Sequence, residues 1–244
     1  MRLTRIHLPA LLRVDSEILL PTSGGNHLVR VLRQREGASL IVFDGLGNEH
    51  HAQICRIDGQ RVYVRIGQKT DPIKESPLQL TLVQAISRSD RMDWSLQKAT
   101  ELGVSTIVPV LSSRSVVRLD DKQSLKKQEH WQAIVISACE QSGRSVVPTV
   151  QLPTPLNQYI SSHAKSGIRL VLSPNATTPL TRLEVNANHV ALLIGPEGGL
   201  EEDEIHLAEQ AGFTPVSLGP RILRTETAAV VALSILQASW GDLK

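Results

Sequence analysis

The first third of the chain alternates apolar and polar residues over short runs that are separated by turn-forming residues. Alternation with a period of two is typical of strands that bury one face. The glycines in Asp44–Gly47 and Asp58–Gln60 supply the positive φ angles that tight hairpins need. We therefore predict a small antiparallel barrel or curled sheet. Its strands are Ser39–Phe43, Glu49–Cys55 and Arg61–Ile66.

A short helix is predicted before these strands, over His27–Arg33. Residues three apart on a helix share one face, so Arg30 and Arg33 would lie side by side. Such a basic face can meet phosphate groups.

The pattern is interrupted at Lys69–Pro77, which contains two prolines and several polar residues. We interpret this segment as a linker between two domains, over residues 1–72 and 73–244. Beyond it, strands alternate with helices, which is typical of a parallel α/β sheet. The predicted strands are Leu78–Ile86, Thr106–Val110, Ile168–Leu172, His189–Ile194 and Phe213–Leu218. The predicted helices are Arg91–Leu102, Lys122–Glu140, Glu201–Ala211 and Thr225–Trp240.

The last third has the most regular pattern. Ile168–Leu172 and His189–Ile194 are nearly continuous apolar runs, as expected for strands that are covered on both faces. The helix Thr225–Trp240 is apolar almost all round, so it must be buried, and a second subunit is one surface that could bury it.

Composition adds three constraints. No stretch approaches the roughly 18 consecutive apolar residues of a membrane span, so we expect a cytoplasmic protein without a membrane partner. Cys55 and Cys139 lack the spacing of zinc ligands, so neither a metal site nor a disulfide is expected. Residues 1–72 hold 10 Lys and Arg against 7 Asp and Glu, whereas the remainder holds 16 against 17. The positive excess therefore lies in the N-terminal third, where it suits phosphate contact or simply a solvated surface.

Three strand ends in the second domain carry the candidate chemistry. They are Leu172–Pro174, Ile194–Gly199 with the sequence IGPEGG, and Ser217–Ala228 with the sequence SLGPRILRTETA. Ligands of open parallel sheets bind outside the carboxyl ends of strands, and glycines let the backbone approach a ligand closely. Neither a P-loop nor a GxGxxG fingerprint is present, so ATP and NAD are not indicated. A structural turn would also explain GPEGG taken alone.

The two glycine motifs, in this order and followed by a buried helix, resemble those of the SPOUT methyltransferases. Within them the chain is similar to the ribosomal RNA small subunit methyltransferase E family over nearly its whole length, including Gln97–Gly103 and Glu140–Arg144. The resemblance implies a trefoil-knotted α/β methyltransferase domain, an N-terminal PUA-like β-barrel and a homodimer. The implied activity is methylation of uridine N3 in 16S RNA by S-adenosylmethionine. The implied substrate is the 16S RNA of the assembled small subunit. One departure is Glu201, where the family usually has a helix-capping Ser or Thr.

The resemblance also implies which residues line the S-adenosylmethionine pocket. Most of them lie in the two glycine motifs, and the remainder follow the strand Ile168–Leu172. They are Leu172, Ser173, Gly195, Pro196, Glu197, Gly198, Leu218, Gly219, Ile222, Leu223, Thr225 and Thr227.

Methylation at uridine N3 requires removal of a proton and stabilisation of the negative charge that spreads onto the flanking carbonyl oxygens. Arg144 and Arg224 are candidates for the charge, and Glu197 and Glu226 for the proton. The acids could instead hold loop amides near helix starts, and the arginines could bridge subunits. Candidate contacts to the RNA backbone are Arg5, Arg30, Arg33, Lys98 and Arg114.

Two alternatives remain open. A 2′-O-ribose methyltransferase of the same superfamily would carry an Asn-x-Gly-x-x-Arg motif, which Gln84–Asp90 does not provide. A non-catalytic ribosome-assembly factor would bind RNA without turnover, and the intact glycines of both motifs speak against it.

Overall fold

The computed structural model describes residues 3–115, 119–162, 167–184 and 188–243. The chain divides into two compact units. The first comprises the residues up to Glu75 together with Ile136–Val147, and the second comprises Ser76–Val135 and the residues from Pro148 onward. The sequence gives no sign that Ile136–Val147 is grouped with the N-terminal region. The functions assigned to residues 1–72 and 73–244 stay predictions.

The first unit contains a five-stranded sheet in the order β1-β3-β4-β5-β2. β1 pairs with β3 in parallel, whereas the other neighbours are antiparallel, so the sheet is mixed rather than purely antiparallel. The apolar side chains that alternate along β4 and β5 point into one core. The strands are β1 (Thr4–His7), β2 (Glu17–Leu19), β3 (Ser39–Phe43), β4 (Glu49–Asp58) and β5 (Arg61–Lys69).

The predicted helix over His27–Arg33 is wrong in its type and in its end. The α-helix α1 (Thr22–Asn26) leads into a π-helical turn over His27–Val31. Arg33 lies beyond that turn with a φ of 53°, in the left-handed region. Arg30 and Arg33 therefore do not share a helix face, although both side chains are exposed.

The second unit is built on a seven-stranded sheet in the order β12-β10-β11-β6-β7-β8, with β9 also paired to β7. All of these pairs are parallel. The strands that were predicted as Ile168–Leu172 and His189–Ile194 are confirmed. The strands are β6 (Gln79–Ala85), β7 (Val104–Leu111), β8 (Thr149–Val150), β9 (Thr154–Pro155), β10 (Ile168–Leu172), β11 (His189–Ile194) and β12 (Thr214–Val216).

Four of the remaining helices lie close to their predicted bounds, whereas α4 was not predicted. The helices are α2 (Ser89–Glu101), α3 (Asp121–Ser142), α4 (Leu156–Ser162), α5 (Glu202–Gln210) and α6 (Thr225–Trp240). A 3₁₀ turn covers Leu180–Arg182.

Helices α2 and α5 begin in different ways. Ser89 is the first helical residue of α2 and not its cap, and Arg88 precedes it without a side-chain capping bond. At α5, the Glu204 carboxylate accepts a hydrogen bond from the Glu201 backbone N–H at 2.9 Å. The acid at position 201 therefore leaves a capping interaction in place at the start of this helix.

The terminal helix α6 is buried along one face within the second unit. Ala229, Ala232, Leu233 and Leu236 are inaccessible to solvent. Helix α2 lies against it. This packing accounts for much of its apolar sequence.

Candidate functional site: a cleft between two glycine loops

The carboxyl ends of three adjacent strands form the candidate site. β12, β10 and β11 are neighbours and run in parallel, so the loops that follow them emerge at one edge of the sheet. Two of these loops carry the glycine motifs. We call Gly195–Gly199 the GPEGG loop and residues 218–224 the second glycine loop.

Together with the end of β10, these loops enclose a cleft of about 380 Å³, which we call the loop cleft. All of the sequence-predicted pocket residues line it except Thr227, which is exposed on α6. Side chains that the prediction did not include also contribute. The additional lining residues are Arg114, Pro174, Asn175, Ile194, Gly199, Leu200, Glu202, Ile205, Val216, Arg221 and Ala228.

The glycines of the two loops serve different purposes. A Cβ atom at Gly195 would lie 2.8 Å from the backbone nitrogen of Leu200, so only glycine fits there. A Cβ at Gly219 would meet no atom within 4 Å, but its φ of 96° is one that other residues rarely adopt. The GPEGG loop is therefore closely packed, and the second glycine loop is open.

A buried polar network joins the loop cleft to the centre of the sheet. The Thr225 hydroxyl donates to the Gly195 carbonyl at 2.7 Å, and the Gln84 side-chain amide donates to the Thr225 hydroxyl at 3.1 Å. Gln84 is fully buried on β6, and its Oε1 has no hydrogen-bond partner among the described residues. Sequence reasoning missed this role of Gln84, although a glutamine in an otherwise apolar strand is the signal that could have shown it.

Two carboxylates stand near the start of helices α2 and α6. Glu197 Oε1 accepts a hydrogen bond from the Arg88 backbone N–H at 3.0 Å, and Arg91 lies 3.5 Å from the same oxygen. Arg91 also lies 4.0 Å from Glu226 Oε1. The second oxygen of each carboxylate is buried without a hydrogen-bond partner among the described residues. The structure thus brings Glu197 and Glu226 together around Arg91, which the sequence prediction did not include.

Arg114 lines the cleft instead of standing free on the surface. Its guanidinium forms a double ion pair with Glu201, with both nitrogen-oxygen distances at 2.7 Å. A third bond, also 2.7 Å long, runs to the Gly198 carbonyl. Arg114 was predicted as an RNA contact, and that role stays a prediction.

Arg5, which was predicted as an RNA contact, forms an ion pair within the first unit. Arg5 pairs with Glu49, and both side chains are nearly buried. Glu49 also accepts hydrogen bonds from Ser145 at 2.6 Å and from Thr70 at 2.8 Å. We call these four residues the Glu49 network. Burial raises the pKa of the Glu49 carboxyl, but the bonds from Ser145, Arg5 and Thr70 outweigh it and hold that pKa below its usual range.

The remaining candidates differ in their surroundings. Arg144 is buried and pairs with Glu75, and it belongs to the first unit, so it does not line the loop cleft. Lys98 pairs with Glu101 on α2 at 2.7 Å. Arg30, Arg33 and Arg224 are exposed. Of the proposed catalytic set, the structure therefore places Glu197, Glu226 and Arg224 in the second unit and Arg144 in the first.

Both cysteines are weak nucleophiles. Burial raises the pKa of the Cys139 thiol to about 12, and burial together with the Glu17 carboxylate raises that of Cys55. Among the residues the structure describes, no cluster of histidine, cysteine and acidic side chains could hold a metal ion. In the same part of the chain, every helix is too short or too polar to span a membrane.

Two family models match the chain. Residues 74–237 match the family described as RNA methyltransferase domain, and residues 20–67 match the one described as RNA methyltransferase PUA domain. The ribosomal RNA small subunit methyltransferase E of Buchnera aphidicola subsp. Schizaphis graminum is 36% identical over 99% of this chain and 98% of its own. The chain belongs to the ribosomal RNA small subunit methyltransferase E family.

Two solved structures resemble the chain over its full length. A methyltransferase E from Neisseria gonorrhoeae, bound to S-adenosyl methionine, is 39% identical with a TM-score of 0.92 and full coverage of both chains. A putative methyltransferase from Legionella pneumophila, in complex with the bound cofactor SAM, is 42% identical with a TM-score of 0.96, again with full coverage of both chains. The resemblance to the methyltransferase E family therefore extends from the sequence to the fold.

Proposed function

We propose that this protein is an S-adenosylmethionine-dependent methyltransferase that modifies N3 of a uridine in the 16S RNA of the small ribosomal subunit. The observation that carries the proposal is the convergence of the GPEGG loop and the second glycine loop on one cleft. The match to the methyltransferase E family over 99% of the chain supports the RNA substrate.

The loop cleft suits S-adenosylmethionine in size and chemistry. Its volume of about 380 Å³ lies in the range of small-molecule sites. Leu172, Leu218 and Leu223 offer apolar surface for an adenine ring, and the backbone at Gly195 and Gly198 offers amides and carbonyls at close range. The carboxylates of Glu197 and Glu202 suit a ligand that carries positive charge.

The holding residues that we propose are the predicted pocket set without Thr227, which the structure places on the exposed side of α6. The Gln84–Thr225–Gly195 network would position the GPEGG loop from below. Its bonds are buried, so they hold the loop in one geometry before a ligand arrives.

When bound, S-adenosylmethionine supplies an electrophilic methyl group. The protein must then remove the N3 proton of uridine and stabilise the resulting charge. Glu197 and Glu226 each have a buried oxygen without a described partner. Accepting the proton would require that oxygen to become accessible to the base when the RNA binds. Arg224 immediately precedes α6, and its side chain is exposed, so its guanidinium can approach the carbonyl oxygens of the base.

The first unit would bind the RNA. Arg30 and Arg33 are exposed beside the π-helical turn and supply positive charge for phosphate groups. Arg5 is held by the Glu49 network and Lys98 by Glu101, so an RNA contact by either would compete with an existing ion pair.

The finer features of the fold and assembly belong to the same proposal. The five-stranded sheet would close as a PUA-like barrel, and the second unit would carry the trefoil knot of the SPOUT class. We further propose a homodimer that acts in the cytoplasm on the assembled small subunit. The half-buried Val230, Val231 and Ile235 of α6 offer apolar surface for a second subunit.

Mass spectrometry of 16S RNA from cells with and without this protein tests the proposal. We expect one N3-methyluridine to disappear with the protein and to return with the wild-type gene but not with Gly195→Val. Transfer of labelled methyl groups to purified small subunits and to naked 16S RNA then identifies the substrate. An unchanged set of RNA modifications would overturn the proposed activity and favour a non-catalytic assembly factor, and a lost 2′-O-methyl group would favour ribose methylation.

A further inference from the structure

Arg114 lies in the turn after β7, and its guanidinium donates three hydrogen bonds. Its Nε and one terminal nitrogen contact the two oxygens of Glu201, and its other terminal nitrogen contacts the Gly198 carbonyl. A planar guanidinium matches a carboxylate in this two-bond geometry, which fixes orientation as well as distance. Arg114 therefore links the start of helix α5 to the GPEGG loop.

The aliphatic part of Arg114 fills the space that Gly198 leaves. A Cβ atom at Gly198 would lie 3.2 Å from Arg114 Cδ and 3.5 Å from Arg114 Cβ. A side chain at position 198 would therefore press on Arg114 before reaching much of the cleft. Arg114 itself lines the loop cleft, so its stem forms part of the wall.

The neighbouring residue provides a second attachment to the same helix start. The backbone N–H of Ser113 donates to Glu204 Oε1 at 2.8 Å, and its hydroxyl donates to the same oxygen at 3.1 Å. Glu204 also accepts the backbone N–H of Glu201, so the two acids that hold Ser113 and Arg114 are bonded to each other. Ser113 and Arg114 are thus both bonded to acids at the start of helix α5, and Arg114 is also bonded to the GPEGG loop.

We propose that Arg114 is a positioning residue that latches the GPEGG loop over the loop cleft and sets how fast the bound nucleoside leaves. The identity of the ligand in the loop cleft, S-adenosylmethionine, rests on the proposed function. The contact between Arg114 and the GPEGG loop does not depend on that identity. The acid at position 201, which departs from the capping Ser or Thr of the family, is the anchor of this latch.

The bonding of Arg114 favours this role over phosphate binding. Three of the five N–H donors of its guanidinium already bond to Glu201 and the Gly198 carbonyl, so a phosphate could use only the two remaining terminal N–H groups and would lie beside the Glu201 carboxylate. The ion pair is also partly exposed, with 45% and 43% of the two side chains accessible. Exposed pairs add little to global stability, so loss of Arg114 should alter the loop and spare the fold.

The test compares Arg114→Ala with Arg56→Ala. Arg56 pairs with Glu17 in the first unit at 3.0 Å with similar exposure of 47% and 39%, so it is a matched control away from the cleft. For Arg114→Ala we expect about tenfold faster dissociation of S-adenosylmethionine in stopped-flow measurements, with similar association rates. Arg56→Ala should leave both rates unchanged, and both variants should unfold at nearly the same urea concentration.

A second pair of measurements excludes a general structural effect. Glu201→Gln should accelerate dissociation less than Arg114→Ala, and the exchanged pair Arg114→Glu with Glu201→Arg should restore part of the residence time. Without ligand, Arg114→Ala should speed hydrogen exchange of the Gly199 amide, which closes the turn onto Pro196 at 2.9 Å.

The outcomes separate the latch from the proposed function. If Arg114→Ala leaves both the dissociation rate of the nucleoside and hydrogen exchange at Gly199 unchanged, the latch is wrong. If Arg114→Ala binds the nucleoside normally but binds RNA more weakly, the latch is also wrong, and Arg114 is a phosphate contact. If the wild-type protein fails to bind S-adenosylmethionine, the proposed function is wrong, while faster exchange at Gly199 in Arg114→Ala would still support the latch.

Discussion

The Glu49 network of the first unit and the loop cleft of the second are both built with charged side chains, but they use them differently. In the network, the carboxylate of Glu49 accepts bonds from Arg5, Ser145 and Thr70, so its capacity is used within the protein. At the cleft, the lining residue Glu197 keeps a buried carboxylate oxygen without a described partner, and so does Glu226 at the nearby start of α6. Charge that is satisfied internally stabilises the fold, and charge that is left available can act on a ligand.

Breaking the Glu49 network should have the largest effect on stability. Glu49→Ala leaves the guanidinium of Arg5 nearly buried without its partner, which costs about 3–5 kcal/mol of unfolding free energy. Urea unfolding of the purified protein measures this loss. Glu17→Ala, which removes the exposed partner of Arg56, should cost far less unfolding free energy, because solvent screens this pair. Equal losses in the two variants would mean that burial does not distinguish the two ion pairs.

On the cleft side, Gly195→Val should abolish ligand binding. The new side chain would collide with the backbone of Gly199 and Leu200, so the GPEGG loop would have to move. We expect S-adenosylmethionine affinity to fall by about 100-fold or more, or roughly 2.7 kcal/mol, by calorimetry. Gly59→Ala is the control for backbone strain away from the cleft, because a Cβ there meets no atom within 4 Å but the φ of 60° disfavours any side chain. Normal affinity in Gly195→Val would remove this loop from the binding site.

A smaller loss is expected at the network below the loop. Thr225→Val removes the donor to the Gly195 carbonyl and leaves the longer bond of 3.4 Å from Gln84. Loss of a buried partner of this kind costs about 1–3 kcal/mol, and we expect about tenfold weaker S-adenosylmethionine binding. Thr227→Val changes the predicted pocket residue that lies outside the cleft. This variant should bind S-adenosylmethionine as tightly as the wild type does.

The stability that the Glu49 network contributes should depend on pH. The folded pKa of Glu49 lies below its ordinary value of 4.5, so its contribution is present above that value and is lost as pH falls through the folded pKa. The difference in unfolding free energy between wild type and Glu49→Gln should therefore shrink below about pH 4.5. A constant difference down to pH 2.5 would show that ionisation of Glu49 contributes nothing.

The smallest effect on stability is expected from the exposed arginines. Arg30→Glu with Arg33→Glu should change unfolding free energy by no more than about 0.5 kcal/mol. The same variant should bind 16S RNA more weakly and with a shallower dependence on salt. Arg61→Glu with Arg65→Glu carries the same change of charge elsewhere in the first unit, so an equal effect would indicate nonspecific attraction rather than a site.

Regular periodicity predicted the fold well where a segment is buried on both faces. β10, β11 and α6 have the predicted bounds because continuous apolar runs leave little choice of environment. The helical prediction at His27–Arg33 fails because local spacing does not encode the π-helical turn or the left-handed Arg33. Local pattern is informative only where local geometry is regular.

The candidate site shows the same division. The glycine motifs carried enough information to bring the predicted loops to one cleft, since parallel neighbouring strands end at the same edge. The ion pairs of Arg5 and Arg114 could not be predicted from the sequence. Their partners, Glu49 and Glu201, lie 44 and 87 residues away in the chain. Side-chain pairing over such distances depends on the finished fold.

The suppressed acidity of both thiols makes the chain convenient for spectroscopy. With a pKa of about 12, Cys139 is ionised in only about one molecule in 10⁵ at neutral pH, and the thiol of Cys55 is also less acidic than usual. A cysteine introduced at Ile222, whose side chain is 87% exposed on the second glycine loop, would therefore react with a maleimide dye far ahead of the native pair. A single fluorophore at that position would report changes in the surroundings of the second glycine loop in real time.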